Sequence, residues 1–189
     1  MSDICHDLET FGKAPGCVIR SLGAVAFDRR DSTIEPATGG YLGYFYAVID
    51  RASCEAVGLI VDPGTEAWWN EPEQALANAA LLAEPGQPLP EVLDDFDEWY
   101  RLWAPVADKA DCLWSNGPSF DEAILAAAYA ACGREPPWRY NAGRDCRTIY
   151  DLAGVKLTHT SGVHHHALDD AREQALLIQR AYRKLGLAD

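Results

Sequence analysis

The chain has 189 residues, is 48% hydrophobic with six tryptophans, and carries a net charge of −13. This length and apolar content suffice for one domain with a full core, and we expect residues 1–189 to form a single domain. No stretch approaches the roughly 18 uninterrupted apolar residues of a membrane span, and no basic segment followed by an apolar run opens the chain. A membrane-spanning protein is therefore excluded, and we expect a soluble, cytoplasmic one.

The negative charge is unevenly distributed. Residues 62–122 contain 14 acidic and 2 basic residues, whereas residues 123–189 contain 7 acidic and 9 basic residues. Nucleic-acid-binding proteins usually carry basic patches, so the net charge alone argues against such a partner. Because the excess lies in the middle of the chain, where it is typical of a solvated helix surface, a nucleic-acid groove elsewhere is not excluded.

The cysteines carry no metal or disulfide signature. The chain contains six of them, without any C-x-x-C pair: Cys5, Cys17, Cys54, Cys112, Cys132 and Cys146. This spacing indicates neither a zinc ribbon nor a disulfide framework. We expect reduced thiols, most of them buried.

The first part of the chain predicts three strands followed by a short helix. Apolar and aromatic runs predict strands at 4–8, 17–27 and 41–49. A polar link that contains Gly39 and Gly40 joins the second and third strands, and the three successive strands predict a meander. A turn at residues 62–65 leads into a helix, for which we predict Thr65 as the N-cap residue. Trp68 and Trp69 fall in that helix.

The second part of the chain alternates helical and strand patterns. Val92, Phe96, Trp99 and Trp103 recur every three to four residues, which predicts one buried helix face. A short apolar run suits a central strand at 112–115. Helices are predicted over 72–83, 91–104 and 119–132, from near residue 145, and over 167–185. Three strands followed by alternating helices and strands predict an α/β domain with a mixed sheet.

Asp7 and Glu9 form a D-x-E pattern on the first predicted strand. Because strand side chains alternate between faces, the two carboxylates point the same way. Burying them together is costly unless a positive group lies between them, and a divalent metal ion is the usual one. Taken alone, the pattern is more typical of a polar strand end that faces water, so the other motifs decide.

Two further features bear on that choice. Asp121 lies at the start of a helix directly after a predicted central strand, where α/β folds collect functional groups, although an aspartate there also commonly interacts with the helix dipole. His165 and Asp170 are five residues apart and can share a site if the histidine lies on a loop and the aspartate in the first helical turn. By counting alone, His164 and Asp169 pair equally well.

The ordered set Asp7-x-Glu9, Asp121 and His165-x4-Asp170 resembles the motifs of the DEDDh 3′-to-5′ exonucleases. Residues 165–173 are similar to the third motif of oligoribonucleases, and this alignment pairs His165 rather than His164 with Asp170. Within the superfamily the chain is most similar to the RNase AS and bacteriophage DexA exonuclease group. The segments that carry this likeness are Asp7-Leu8-Glu9-Thr10, Ile19-x-Ser21-Leu22-Gly23-Ala24-Val25-x-Phe27-Asp28, Thr65-x2-Trp68-Trp69, Asn116-Gly117-x2-Phe120-Asp121 and Arg144-Asp145-x-Arg147-Thr148.

The resemblance implies an α/β, ribonuclease H-like fold. We expect a mixed five-stranded sheet, composed of the three-strand antiparallel meander plus parallel strands and flanked by helices. The implied activity is a 3′-to-5′ exonuclease that acts on single-stranded ends, most directly of RNA, and releases nucleoside 5′-monophosphates. The resemblance also implies a bacterial or phage-infected cell and is compatible with a homodimer.

The same resemblance assigns catalytic roles. It implies that Asp7, Glu9, Asp121 and Asp170 hold two Mg²⁺ or Mn²⁺ ions, with Asp7 bridging both. Such ions prefer hard oxygen ligands, and a pair of them can activate water and compensate charge on a phosphodiester. His165 is implied to accept the proton of the attacking water, because a histidine can do so near neutral pH.

Substrate contacts are predicted at six positions: Thr10, Phe11, Trp68, Trp69, Asn116 and Arg147. The resemblance implies that Thr10 meets the 3′-hydroxyl through its backbone or its hydroxyl. Arg144 and Arg147 lie in the basic last third of the chain, and one of them can contact a phosphate or form a structural pair with a nearby acid; we predict the phosphate contact for Arg147. Phe11 and one tryptophan can stack on a terminal base. Because adjacent helical residues diverge by about 100°, we expect one tryptophan to pack inward and the other to face the groove.

Two alternatives remain at this point. The same activity can act on DNA, as in the DexA type, because discrimination by the 2′-hydroxyl needs only one or two contacts that the sequence does not display. A non-catalytic nucleic-acid-binding module on the same fold is the other. The presence of all four metal carboxylates argues against it.

Overall fold

The computed structural model describes residues 2–31, 43–105, 111–156 and 162–188. Its strands are β1 (Asp3–Thr10), β2 (Ile19–Phe27), β3 (Gly43–Val48), β4 (Leu113–Ser115) and β5 (Gly143–Asp145). They form one mixed sheet in the order β3-β2-β1-β4-β5. The first three pair antiparallel, whereas β4 is parallel to β1 and β5 is parallel to β4. The predicted sheet is confirmed, and residues 41 and 42 of the predicted third strand lie outside the described residues.

Seven α-helices flank the sheet in the part of the chain just defined. They are α1 (Arg51–Ala56), α2 (Pro63–Trp69), α3 (Ala75–Leu82), α4 (Leu89–Trp103), α5 (Asp121–Ala131), α6 (Cys146–Ala153) and α7 (Ala167–Lys184). A 3-10 turn at Pro72–Gln74 precedes α3, so the helix predicted over 72–83 is divided. None of these helices is long and apolar enough to cross a membrane.

The two faces of the sheet carry different cores. Ile4 and Leu8 of β1 pack with residues of α4 and α5, including the buried Phe96, as the periodicity of α4 predicts. Cys5, which points to the opposite face, packs with residues of α6 and α7, including Ile178. The alternation along β1 therefore places odd-numbered side chains under α7. All six cysteines are free and only Cys132 is partly exposed, in agreement with the prediction.

One local prediction requires correction, and one helix was not predicted. Thr65 is not the N-cap of its helix: Asp62 is, and its carboxylate accepts hydrogen bonds from the Thr65 backbone N–H (2.7 Å) and hydroxyl (2.9 Å). Proline at the first helical position, Pro63, places the cap one residue before it. Helix α1 was not predicted, because among its six residues only Cys54 is buried and no apolar periodicity results.

Helix α7 approaches the sheet through a glycine. A side chain at Gly23 of β2 would overlap the backbone of Ala167 and Leu168, the first turn of α7. Gly23 is also the residue paired with Asp7 of β1. The missing side chain therefore lets the N-terminus of α7 lie directly against the strands beside Asp7.

Candidate active site

Two acidic side chains project from β1 toward the start of α7. Asp7 and Glu9 pair with Gly23 and Ser21 of β2, so both carboxylates lie on the α7 face, as predicted. Glu9 is buried and Asp7 is partly buried. The strand therefore presents two carboxylates to one side at the edge of a cleft.

A third carboxylate comes from the helix that follows β4. Asp121 is the first residue of α5, and its Oδ1 accepts a hydrogen bond from the backbone N–H of Leu8 at 3.3 Å. Burial raises the pKa of Asp121 to about 7, although the Leu8 N–H and the positive charge of Arg147 act in the opposite direction. The contact with β1 places Asp121 beside Asp7 and Glu9.

Helix α7 and the loop before it complete the group. Glu9, His165 and Asp170 each offer a ligand atom, and these atoms lie within 4.8 Å of one another. His165 has a positive φ of 63°, and its backbone N–H donates to Asp170 Oδ2 at 3.1 Å. This left-handed conformation is uncommon outside glycine, and it turns the chain into α7 beside the carboxylates.

The alternative pair, His164 and Asp169, lies differently. Asp169 accepts from the Val163 backbone N–H at 3.0 Å and lies 3.4 Å from the guanidinium of Arg172, so its carboxylate holds the loop and helix together. His164 is exposed, with its ring 3.8 Å from that of His165. The geometry favours the pairing of His165 with Asp170.

The electrostatics of the carboxylates fit a divalent cation. Burial raises the pKa of Asp7 well above its ordinary value, and the charges of Asp121, Glu9 and Asp170 raise it further. Burial and the charge of Asp170 likewise raise the pKa of Glu9, with Arg20 acting in the opposite direction. Bringing these groups together as anions is therefore costly for the protein alone. Hard oxygen donors at this spacing are the ligands that Mg²⁺ and Mn²⁺ prefer.

The carboxylates lie in a cleft of about 1130 Å³. Five of the six predicted substrate-contact residues line it: Thr10, Trp68, Trp69, Asn116 and Arg147. The guanidinium of Arg147 also lies over Gly117, where a Cβ would be 3.2 Å from its Nη1. Phe11 is not among the lining residues, because its ring packs against the core beneath the guanidinium groups of Arg20 (4.6 Å) and Arg51 (5.4 Å).

The two tryptophans take different positions, as the helical geometry predicts. Trp69 is 2% exposed, and its indole N–H donates to the Thr10 carbonyl at 2.8 Å. Trp68 is partly exposed, and its ring centroid lies 5.0 Å from that of His165. Trp69 therefore supports the wall of the cleft, while Trp68 presents a face to it.

Sequence reasoning missed two residues that shape this site. Gln174 of α7 donates a hydrogen bond from Nε2 to Asp7 Oδ1 at 2.8 Å. Its position four residues after Asp170 was a usable signal, because residues i and i+4 share a helix face. Arg20 stacks over Trp69 at 4.1 Å and donates to Asn78 at 2.7 Å. No sequence pattern indicated that contact.

Residues 2–182 match the profile of a known family, the 3′-5′ exoribonuclease Rv2179c-like domain. The chain belongs to this family. The match spans nearly the whole sequence, from before β1 into the last turn of α7. The matched range includes Asp7, Glu9, Asp121, His165 and Asp170. No curated protein matches the chain.

Solved structures of exonucleases share the fold. The zinc-bound complex of E. coli exonuclease I with single-stranded DNA superposes with a TM-score of 0.64 at 13% identity, covering 96% of this chain and 40% of that one. The nuclease domain of 3′hExo, described as a DEDDh family member and bound to rAMP, gives 0.57 at 11% identity, covering 100% and 94%. The chain thus spans about two fifths of exonuclease I. These structures confirm the predicted ribonuclease H-like fold.

Proposed function

We propose that the protein is a metal-dependent 3′-to-5′ exonuclease that removes nucleoside 5′-monophosphates from single-stranded ends, with RNA as its main substrate. One observation carries the proposal. Glu9, His165 and Asp170 converge within 4.8 Å, in the cleft that Asp7 and Asp121 also line. Four acidic groups and a histidine in one cleft form the set that the DEDDh pattern requires.

Asp7, Glu9, Asp121 and Asp170 would hold two Mg²⁺ or Mn²⁺ ions. Ions held there would supply positive charge opposite the phosphodiester and a more acidic water. The raised pKa values of Asp7, Glu9 and Asp121 support this assignment, because they show that the positive charges of the protein itself do not compensate the ionisation of these carboxyl groups. A bound cation would supply that compensation.

His165 is the general base. It lies on the loop before α7, with Trp68 and Trp69 ring centroids at 5.0 and 6.0 Å. These rings limit the positions that the imidazole can take, so it stays directed toward the carboxylates. It accepts the proton of the attacking water at one ring nitrogen. The rings of Trp68 and Trp69 also shield that proton transfer from bulk solvent on one side of the imidazole.

The terminal nucleotide binds along the wall of the cleft. Trp68 stacks on its base, Thr10 meets the 3′-hydroxyl through its backbone, and Arg147 contacts a phosphate. The Thr10 hydroxyl itself donates to the Gly12 carbonyl at 2.6 Å, which supports the use of the backbone. Stacking of this kind contributes about 1–3 kcal/mol per base.

RNA is the favoured substrate because the matched family is described as an exoribonuclease domain. The sequence likeness to the RNase AS group points the same way. DNA is the second candidate, on the observation that exonuclease I, with which the fold is shared, is bound to single-stranded DNA. The DexA-type exonucleases represent this alternative.

The test uses purified protein with 3′- and 5′-labelled RNA and DNA oligonucleotides of the same sequence, in Mn²⁺, Mg²⁺ or EDTA. We expect a ladder that shortens from the 3′ end, mononucleotide products, faster cleavage of RNA and no cleavage in EDTA. Faster cleavage of DNA would select the DexA-type alternative. Internal cuts, or cleavage that persists in EDTA, would overturn the proposed function.

A further inference from the structure

Gln174 links α7 to the carboxylate at the centre of the site. It lies one helical turn after Asp170 and is buried, and its Nε2 donates to Asp7 Oδ1 at 2.8 Å. An ionised carboxylate can only accept hydrogen bonds, so the amide nitrogen must be the atom that faces Asp7. Helix α7 therefore brings both a carboxylate and a hydrogen-bond donor to the cleft.

Two thiols lie against the other end of the same amide. The Sγ atoms of Cys5 and Cys146 lie 3.7 and 4.0 Å from Gln174 Oε1, and both cysteines are fully buried. Thiols are weak donors, but a buried amide oxygen requires a partner. The backbone carbonyl of Gln174 accepts a further hydrogen bond from the Tyr150 hydroxyl at 3.0 Å. The two thiols favour the orientation of the side-chain amide in which Oε1 faces them, whereas the Tyr150 hydrogen bond holds only the backbone of Gln174.

We propose that Gln174 is a positioning residue for Asp7, and that Cys5 and Cys146 orient its amide so that Nε2 always faces the carboxylate. The inference rests on the proposed function, because that function makes Asp7 one of the metal-binding carboxylates. Holding Oδ1 fixes the plane of the carboxylate and hence the direction of its other oxygen. Groups that orient metal ligands in this way typically change metal affinity or activity by about 10- to 100-fold when removed.

The chain offers a matched control on the same helix. Gln179 is as deeply buried as Gln174, and its Nε2 donates at the same distance, 2.8 Å, to the backbone carbonyl of Asp28. That acceptor is not a carboxylate and does not line the cleft. A purely structural role would make the loss of either glutamine equivalent.

The first experiment compares Gln174→Met with Gln179→Met, both of which keep an unbranched side chain and remove the amide. Calorimetry measures Mn²⁺ binding to the EDTA-treated protein. The Tm of each variant is measured with and without Mn²⁺, and kcat and KM are measured on an oligonucleotide. We expect Gln174→Met to bind Mn²⁺ about 10-fold more weakly and to lose kcat with little change in KM. Gln179→Met should lower Tm without either effect. Gln174→Leu provides a second shape should the methionine pack poorly.

The second experiment tests the thiols. The double variant Cys5→Ala/Cys146→Ala removes both donors, whereas Cys5→Ser/Cys146→Ser restores a donor at each position. We expect weaker Mn²⁺ binding in the alanine pair and recovery toward wild type in the serine pair. Serine also restores part of the volume that alanine removes, so Tm is measured beside Mn²⁺ binding. If serine recovers Tm but leaves Mn²⁺ binding as weak as in the alanine pair, the effect is one of packing and the thiols do not orient the amide.

The outcomes separate this inference from the proposed function. If Gln174→Met and Gln179→Met bind Mn²⁺ equally well, Gln174 does not position Asp7 and the inference is wrong. If wild type shows no nuclease activity but Gln174→Met still binds Mn²⁺ more weakly than Gln179→Met, the proposed function fails and the positioning role stands.

Discussion

Buried carboxylates occur in two very different settings in this protein. Asp111, just before β4, is fully buried, but its Oδ1 forms an ion pair with Arg139 and its Oδ2 accepts from the Tyr100 hydroxyl at 3.2 Å. Burial alone would raise its pKa, yet the hydrogen bonds and charge of Arg139 hold it below the ordinary value. Asp121, after the same strand, has its pKa raised to about 7.

The difference lies in what surrounds each group. Asp111 has a dedicated arginine, whereas Asp121 shares its surroundings with Asp7 and Glu9, whose pKa values are raised as well. A buried acid that is paired with its own arginine stabilises the fold, so replacing that acid should lower the stability of the protein. A buried group of acids destabilises the fold until a cation binds, so its removal should harm function and help stability.

The largest expected effect is on activity in Asp7→Asn. This variant keeps an oxygen that can accept from Gln174 but removes a metal-binding charge, so we expect kcat to fall about 10³-fold or more. In EDTA its Tm should rise above that of wild type, because a mutually repelling charge is gone. Activity assays and thermal melts of the same preparation check both.

A metal-free Asp7→Asn protein that melts below wild type would contradict this contrast between the two settings. Retained activity would contradict the catalytic role of Asp7. The gain in Tm should also disappear when wild type is saturated with Mn²⁺, because bound metal stabilises the native state by mass action.

The next effect distinguishes the histidines. We expect His165→Ala to lower kcat about 10²-fold, the usual contribution of a general base, and His164→Ala to lower it by less than about threefold. Both side chains lie on the same loop, so each variant controls for disturbance of the other. Steady-state kinetics at saturating metal give the result. Full activity in His165→Ala would move the base to His164.

Asp111→Asn should behave in the opposite way to Asp7→Asn. It leaves Arg139, whose side chain is 26% exposed, without its charge partner, so we expect a loss of about 2 kcal/mol and a Tm lower by roughly 4–8 °C. The kcat and metal affinity of the folded protein should not change. Chemical denaturation and calorimetry test this, and a stable Asp111→Asn variant would remove the distinction.

The smallest expected effect concerns pH. In the folded protein the pKa of Asp121 is about 7, against an ordinary value of 3.8, so between these values the native state binds more protons than the unfolded chain. The free energy of unfolding of metal-free protein should therefore increase as pH falls from 8 to 6.5. Asp3, with its pKa raised to about 6, acts with the same sign, whereas His6, lowered to about 4, opposes it below pH 6.5.

Melting curves in EDTA and in saturating Mn²⁺ separate the contribution of the cleft carboxylates to this pH dependence from that of groups elsewhere. In Mn²⁺ the carboxylates that bind metal should no longer contribute to the pH dependence of Tm, because bound cations keep them ionised. We expect Tm to be a few degrees higher at pH 6.5 than at pH 8 in EDTA. A slope that is identical in both buffers would assign the effect to groups outside the cleft.

Local features of the sequence predicted most of the fold and one side of the site. Alternation along β1 placed Asp7 and Glu9 on one face, and apolar spacing predicted the buried face of α4. Such signals lie within one element. Helix α1 carries no such spacing, because it is anchored mainly through Cys54.

Contacts between distant elements could not be predicted in this way. The spacing of Gln174 from Asp170 indicates the helix face that they share, but not that its partner is Asp7, 167 positions away. The cation–π contact between Arg20 and Trp69 has no sequence signature. The Thr65 prediction failed because two residues of one turn, Asp62 and Thr65, both suit a helix N-terminus. Proline at the first helical position decides between them.

Gly23 sets how closely α7 approaches the strands of the site. The backbone of Gly23 in β2 is in contact with the backbone of the first turn of α7, with no side chain between them. A methyl group at that position would push the start of α7, and with it Asp170 and Gln174, away from the strands that carry Asp7. The separation between Asp7 and Asp170 therefore depends on a residue that carries no charge.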